Sequence, residues 1–265
     1  MRVYIYKGKK DETVPDSVEK LIIEEGVQVL PGHICYNYGL LTASGQDSRQ
    51  LREVCLTNGL IEIGDSAFYA CTKILEINVC GTVQLIGERA FQGCRGLRRV
   101  DFQTTLASSP HQLRGIYKRA FASCTFLQTI KLPPSVSTIG EGVFEGCCNA
   151  LVEANLSSTC ITEIPTSAFY ACYSLQTVSL PNTLGWIGDD AFGNCRELVT
   201  VTLPLDSQPL RIGLDSFAYC RKLVNLVLPK GSTYQSNSFD GMKLMQDLHG
   251  SDATCVADGL MERFN

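Results

Sequence analysis

The sequence predicts a leucine-rich repeat solenoid, a stack of similar units of about 23 residues that share one hydrophobic core. Three observations support this fold class. Phenylalanine recurs at nearly constant spacing, a cysteine follows seven of these phenylalanines by three residues, and a Leu-x-x-Val-x-Leu segment comes next. A unit this short cannot bury its apolar positions alone, so neighbouring units must stack and form a parallel sheet that curves into an arc.

The phenylalanines and cysteines set the period. The steps are 23, 30, 23, 25, 23, 25 and 22 residues between Phe68, Phe91, Phe121, Phe144, Phe169, Phe192, Phe217 and Phe239. The cysteines that follow are Cys71, Cys94, Cys124, Cys147, Cys172, Cys195 and Cys220, and Met242 takes this place in the eighth unit. Eight copies at one spacing, within the range of leucine-rich repeats, indicate a true repeat.

Each unit reads I-G-x-x-A-F-x-x-C-x-x-L-x-x-V-x-L-P, and its parts predict local structure. The V-x-L stretch alternates apolar and exposed residues, as strands do. The proline that often follows has no N–H to donate to a sheet, so the strand ends there. The glycine after the isoleucine, here called the repeat glycine, is expected where a Cβ would be blocked. The phenylalanine of the A-F-x-x-C turn is expected to point inward.

The pattern weakens towards both ends of the chain. We place about nine to ten repeats in residues 18–248, with an N-terminal cap in 1–17 that forms a first strand or hairpin. A short helix covering the other end is expected in residues 249–265. Two insertions, at 41–50 and 103–113, are expected to be surface loops. The whole chain is thus expected to be a single solenoid domain.

Four segments read IGDSAFYACTKILEINV, IGEGVFEGC, SAFYACYSLQTVSLP and IGDDAFGNCRELVTVTLP. They resemble the BspA-like class of leucine-rich repeats, and the resemblance covers roughly residues 18–248. It implies a right-handed, curved solenoid with one short parallel strand per repeat on the concave face and a mostly irregular or short helical convex side. It also implies a repeat without catalytic residues, in a class of bacterial surface adhesins and of intracellular or surface proteins in some protists.

Charge and composition exclude several classes of partner. The 265 residues include 23 Lys and Arg against 27 Asp and Glu, a net charge of −4, so the basic surface that nucleic acids require is absent. No apolar run approaches the roughly 18 residues of a membrane span. Charged residues also interrupt the first segment, where a signal peptide needs an apolar stretch. We therefore expect a cytoplasmic protein, or an extracellular surface protein if the chain is trimmed from a longer one.

Four interpretations of the seven periodic cysteines remain open. The favoured one is a column of small buried side chains, because free cysteine is among the most buried residue types. Disulfides between adjacent repeats are disfavoured, since in-register Cβ atoms lie about 4.8 Å apart. Zinc is disfavoured because paired Cys and His spacings are absent. A reactive thiol is a better match to the off-register cysteines, Cys35, Cys55, Cys80, Cys148, Cys160 and Cys255. An odd total of 13 favours reduced thiols.

No catalytic constellation is visible in the sequence. The histidines, His33, His111 and His249, fall in three separate regions, so none is predicted to complete a triad with a nucleophile and an acid. The glycine-rich stretch from Gly140 to Gly146 does not match G-x-G-x-x-G and is one repeat's turn. We expect no enzyme activity, no cofactor and no metal.

Solenoids bind through the exposed strand residues of their concave face. In Leu-x-x-Val-x-Leu these are the two residues that flank the buried valine. The half of this face with mixed charges supplies the candidate partner-binding residues Glu76, Asn78, Arg99, Asp101, Thr129, Lys131, Glu153 and Asn155. Among them only Arg99 belongs to the types that dominate tight interfaces, so a polar interface of modest affinity is expected. The single tryptophan, Trp186, is interpreted either as an exposed contact on the flank or as a partly buried filler, and the filler is favoured.

Together these features predict a non-catalytic module that binds a protein partner through the concave face or through the loop at 103–113. The chain is expected to be a monomer, without nucleic-acid or membrane partners. The alternative is a cell-surface or secreted adhesion protein of the BspA-like type. Paired cysteines would favour the adhesion protein, and reduced cysteines favour the intracellular module.

Overall fold

A computed structural model of the protein describes residues 1–35, 50–102, 112–204, 206–235 and 237–240. Strand β1 and the even-numbered strands form one stack, the first sheet. The odd-numbered strands from β3 form two hydrogen-bonded runs, β3 to β11 and β13 to β19, here together called the second sheet. In chain order the strands are β1 (Val3–Tyr6), β2 (Lys20–Ile23), β3 (Val29–Leu30), β4 (Glu53–Cys55), β5 (Glu62–Ile63), β6 (Glu76–Val79), β7 (Leu85–Ile86), β8 (Arg99–Phe102), β9 (Gly115–Ile116), β10 (Thr129–Lys131), β11 (Thr138–Ile139), β12 (Glu153–Asn155), β13 (Glu163–Ile164), β14 (Thr177–Ser179), β15 (Trp186–Ile187), β16 (Thr200–Thr202), β17 (Arg211–Ile212), β18 (Asn225–Leu226) and β19 (Thr233–Tyr234).

The first sheet is formed by the predicted V-x-L segments. Neighbouring strands pair in parallel and in register, so equivalent residues of successive repeats align, as Val178 does with Val201. The hydrogen-bonded runs are β1–β2–β4, β6–β8 and β10–β12–β14–β16–β18. In β10, β14 and β16 the central residue is buried and its neighbours face outward, which confirms the predicted alternation. The leucine-rich repeat fold is therefore confirmed.

The second sheet is not predicted from the sequence. Its strands have two residues each and pair in parallel in the runs β3–β5–β7–β9–β11 and β13–β15–β17–β19. The second residue of most of these strands is the buried isoleucine that precedes the repeat glycine, and the first usually faces outward. Two residues are too few to show an alternating pattern. Stacking of the repeats brings these backbone groups within hydrogen-bonding reach of each other, and this creates the sheet.

The A-F-x-x-C segment forms a hydrogen-bonded turn. The described residues contain no helix, so the short helical segments allowed for the convex side are not found among them. In the seven turns from Phe68 to Phe217, two residues have positive φ, for example Ser167 at 56° and Ala171 at 58°. Between these two residues, every second backbone N–H donates a hydrogen bond to a carbonyl oxygen of the next repeat, as Phe169 N does to Ala191 O at 2.8 Å. The turn thus satisfies its backbone groups without helical hydrogen bonds.

The repeat phenylalanines form one continuous stack in the core. Adjacent rings lie 5.2–5.8 Å apart between centroids, at interplanar angles of 3–24°. All eight are buried. Stacked aromatic rings at this separation attract each other in addition to the gain from burial. The predicted inward orientation of these rings is confirmed, and the stack links every repeat from Phe68 to Phe239.

The seven repeat cysteines, here called the cysteine ladder, are all buried, which confirms the predicted column. Six of them also form hydrogen bonds that were not predicted. Cys172 Sγ donates to the carbonyl oxygen of Phe144, in the preceding repeat, at 3.2 Å. Equivalent bonds are made by Cys94, Cys124, Cys147, Cys195 and Cys220. A thiol is small and is a weak donor, so it fills this site and binds a carbonyl as alanine could not. None of the twelve described cysteines forms a disulfide.

We expect the cysteine ladder to be unreactive in the folded protein. Burial raises the pKa of the Cys147 thiol to about 12, and only thiolates react rapidly with disulfide reagents such as DTNB. Among the described cysteines, the exposed Cys160 should react first at pH 8 in the native protein, and the half-buried Cys55 and Cys148 more slowly. Unfolded, unreduced protein should show about 13 thiols. A count of seven or fewer would contradict the interpretation of the cysteines as reduced.

The ladder also makes stability depend on alkaline pH. Burial raises the pKa of Cys124, Cys172 and Cys195 well above the ordinary value, so these thiols stay protonated in the native state. In the unfolded chain they ionise near a pKa of about 8.5. The unfolded state then binds fewer protons, and the free energy of unfolding should fall as the pH rises from about 8.5 towards 12. Cys147→Ala should weaken this dependence in urea unfolding at pH 7 and pH 10.

Several predicted features lie largely or wholly outside the described residues. The two insertion loops fall mostly within 36–49 and 103–111, and the C-terminal helix falls within 241–265. The N-terminal segment 1–17 contains β1, which pairs in parallel with β2. This segment therefore supplies a strand of the same kind as the repeats and does not form a hairpin.

Candidate functional site

The eight sequence-predicted binding residues lie together on the outer face of the first sheet. They occupy β6, β8, β10 and β12, and seven of them are exposed while Asn155 is half-buried. The register forms two rows, in which the paired neighbours are Glu76 with Arg99, Asn78 with Asp101, Thr129 with Glu153, and Lys131 with Asn155. The predicted exposure of this surface is thus found in the structure.

Some charges on this face neutralise each other. Arg99 Nη2 lies 3.0 Å from Glu76 Oε2, in an exposed pair of a kind that contributes little to stability. Asp101 and Lys131 differ, because neither forms an ion pair with another described residue. These two opposite charges are therefore available to a partner.

A groove of ≈ 570 Å³, the first-sheet groove, crosses the carboxyl ends of β8, β10 and β12. Three candidate residues line it, Asp101, Lys131 and Asn155, whereas the other five, also among the described residues, do not. The rest of its wall was not predicted and consists of Val100, Phe102, Leu132, Pro133, Pro134, Ser157 and Ser158. A proline directly after a strand marks where the chain leaves the sheet, and this signal could have located the groove.

Asn155 shapes the groove. Its Oδ1 accepts hydrogen bonds from Ser157 N at 3.2 Å and from Ser157 Oγ at 2.8 Å. Such an Asx turn fixes the chain as it leaves β12. The amide oxygen is thus occupied, and the unpaired charged side chains that line the groove are Asp101 and Lys131.

The described residues show no arrangement for metal binding. Nowhere among them do three or more His, Cys, Asp or Glu side chains gather to hold an ion. Two carboxylates beside repeat glycines serve the fold: Asp189 Oδ1 accepts Leu214 N–H at 2.8 Å, and Asp65 Oδ1 accepts Glu88 N–H at 2.7 Å. Each of these bonds links one repeat to the next.

Of the two interpretations of Trp186, the structure favours the exposed contact on the flank over the filler. The residue lies in β15, its side chain faces outward, and 37% of it is exposed. Its strand neighbour Ile187 is the buried member of the pair. Without the second sheet, this position could not be recognised as an outward one.

Two parallel sheets, a stack of phenylalanines and a period near 23 residues define a leucine-rich repeat solenoid. No helix that could span a membrane occurs in the described parts of this solenoid. The sequence matches the family described as "BspA type Leucine rich repeat region" in six copies, over residues 46–162, 105–224 and 148–251. These spans cover more than half of the chain, and the protein belongs to this family. A search of curated protein sequences gives no match.

The chain is also similar to solved bacterial proteins. A leucine-rich repeat protein of T. pallidum is 26% identical, with a TM-score of 0.56, and the match covers 76% of this chain and 95% of that one. A leucine-rich cell surface protein of Faecalibacterium prausnitzii is 25% identical, with a TM-score of 0.45 and coverage of 90% and 64%. The pneumococcal vaccine antigen PcpA is 17% identical, with a TM-score of 0.47 and coverage of 83% and 64%.

Proposed function

We propose that the protein is a non-catalytic binding module that holds an extended segment of a partner protein in the first-sheet groove. The observation that carries this proposal is the pair of unpaired opposite charges, Asp101 and Lys131, beside the apolar surfaces of Phe102 and Pro134. A segment with one basic and one acidic residue, separated by an apolar one, would complement this arrangement. Proteins of this fold are generally non-enzymatic and present extended binding surfaces.

The proposal includes a monomeric chain and a protein partner. A net charge of −4 argues against binding to the phosphates of nucleic acids. The absence of disulfides among the twelve described cysteines supports a reducing compartment and hence a cytoplasmic protein. The second candidate is a surface-associated adhesion protein, which is favoured by membership of a family whose proteins are often found at the cell surface.

The test is site-specific crosslinking. A photoreactive benzoylphenylalanine replaces Ser158, which lines the groove, and proteins crosslinked in a lysate of the source organism are identified by mass spectrometry. Asp101→Lys and Lys131→Glu should each reduce the yield of the crosslinked partner by about tenfold or more, because each change leaves a partner charge unpaired. Asp206→Lys and Lys230→Glu are matched charge reversals at exposed positions away from the groove.

A partner that is lost with both groove variants and retained with both controls supports the proposal. Equal crosslinking by all four variants contradicts it. If the lysate gives no crosslink and extracellular host proteins do, with the same dependence on Asp101 and Lys131, the adhesion protein is the better description. Sedimentation of the wild-type chain at several concentrations tests the monomer.

A further inference from the structure

A second groove, of ≈ 610 Å³, lies on the second sheet across β15, β17 and β19. Trp186, Arg211 and Thr233 occupy the outward positions of these strands and align in register. At a strand spacing of about 4.8 Å, this row spans about 10 Å. We propose that this groove binds a neutral oligosaccharide, with the Trp186 indole as the surface on which one sugar ring stacks.

The indole is exposed, and the strand that carries it is held in place. Trp186 is 37% exposed, while its backbone N–H donates to Thr162 O at 3.3 Å and the adjoining Ile187 is buried. The face of an aromatic ring carries partial negative charge and attracts C–H groups, which a pyranose ring presents on one face. A surface that is fixed before binding loses little conformational entropy when the ligand arrives.

Donors and acceptors surround the indole. The Arg211 guanidinium forms no ion pair with another described residue, and Thr233 and Gln235 are exposed at the groove. Asp189 uses Oδ1 for the Leu214 N–H at 2.8 Å, which leaves Oδ2 as an acceptor towards the groove. A sugar hydroxyl both donates and accepts hydrogen bonds. A lining with both donors and acceptors therefore suits a sugar better than a cluster of side chains with the same charge.

The balance of charges favours a neutral ligand. The lining carries one carboxylate, from Asp189, and one guanidinium, from Arg211. Burial raises the pKa of the neighbouring Asp190, and the charges of Asp215 and Asp189 raise it further. An anionic ligand bound to Arg211 would meet the Asp189 carboxylate, whereas a cationic ligand bound to Asp189 would meet the unpaired Arg211 guanidinium. A neutral oligosaccharide avoids both charge repulsions.

The experiment uses the only tryptophan of the chain as its reporter. The full-length protein is titrated with cellobiose, lactose, maltose and diacetylchitobiose, and with hexaglutamate as an anionic probe. Trp186 fluorescence is followed, and saturation-transfer NMR detects any binding that leaves the fluorescence unchanged. Arg211→Ala should weaken sugar binding about tenfold, since it removes hydrogen bonds from a charged donor. Arg221→Ala, an exposed arginine that does not line the groove, is the matched control.

Saturable binding of at least one of the four sugars, weakened by Arg211→Ala and unchanged by Arg221→Ala, supports the proposal. Absence of binding across the panel by both methods overturns it, as does equal affinity of the two variants. Tighter binding of hexaglutamate than of any sugar would show that the groove recognises acidic protein segments instead. The first-sheet groove takes no part in these measurements, so the outcome is independent of the proposed function.

Discussion

Replacement of Phe169 by alanine should lower the free energy of unfolding by about 3–5 kcal/mol. The Phe169 ring is fully buried and lies between Phe144 at 5.2 Å and Phe192 at 5.3 Å, centroid to centroid. Truncation removes the gain from burial and both stacking contacts. The cavity cannot collapse readily, because the two sheets and the backbone hydrogen bonds between successive turns fix the spacing between repeats. The loss should therefore fall in the upper part of the range for core truncations.

Urea unfolding followed by circular dichroism measures this loss. Phe126→Ala is the matched control, since the same atoms are removed from a side chain that is 50% exposed, and its effect should stay within about 0.5 kcal/mol. Because each repeat contacts only its neighbours, Phe169→Ala should also broaden the transition by uncoupling the repeats on either side. If Phe169→Ala cost no more than Phe126→Ala, the ring stack would not be a main source of stability.

The sequence predicted those parts of the fold that repeat with a clear chemical signature. Apolar side chains at a fixed spacing have one physical explanation, a shared core, and the buried Phe169 and Cys172 follow from it. The alternation in Thr177–Ser179 likewise identified a strand of the first sheet. Both signals reflect burial, which the spacing of apolar residues in a single sequence indicates directly.

Features that depend on backbone geometry have no such pattern in the sequence. The positive φ values in the turns belong to residues as different as Ser167, Asp190 and Tyr219, so no residue type marks the position. Glycine is favoured at such a φ but stands there in only some repeats, as at Gly142. The second sheet arises from stacking between repeats, and its two-residue strands show no pattern of their own.

For the candidate sites, the exposure of side chains was predicted, whereas their pairing and the grooves were not. The outward position of Asp101 and Lys131 follows from strand periodicity and was predicted. The pairing of Glu76 with Arg99 was not predicted, because it depends on side-chain conformation. The groove at the strand ends was not predicted either, because it depends on the path of the chain beyond the sheet. The Trp186 groove was missed because it requires the second sheet.

Replacement of the repeat glycine Gly188 by alanine should lower the free energy of unfolding by about 2–3 kcal/mol. The φ of this glycine is not positive, so its role is close approach between backbones. A Cβ at this position would lie 2.7 Å from Thr166 N and 2.9 Å from Pro165 C, in the preceding repeat. Both atoms belong to the main chain and cannot rotate away. The predicted reason for the repeat glycine, a blocked Cβ, is therefore confirmed at this position.

Gly185→Ala is the matched control, three residues earlier in the same repeat. A Cβ there would meet Gln208 Nε2 at 3.2 Å, the end of an exposed side chain that can move aside. Its effect on urea unfolding should stay within about 0.5 kcal/mol, and equal losses from the two variants would contradict the close-approach explanation. Gly188 N also donates to Ile164 O at 2.7 Å, so the added methyl group must separate two repeats that this bond holds together. The cost of Gly188→Ala thus measures how tightly adjacent repeats are joined at the edge that carries the Trp186 groove.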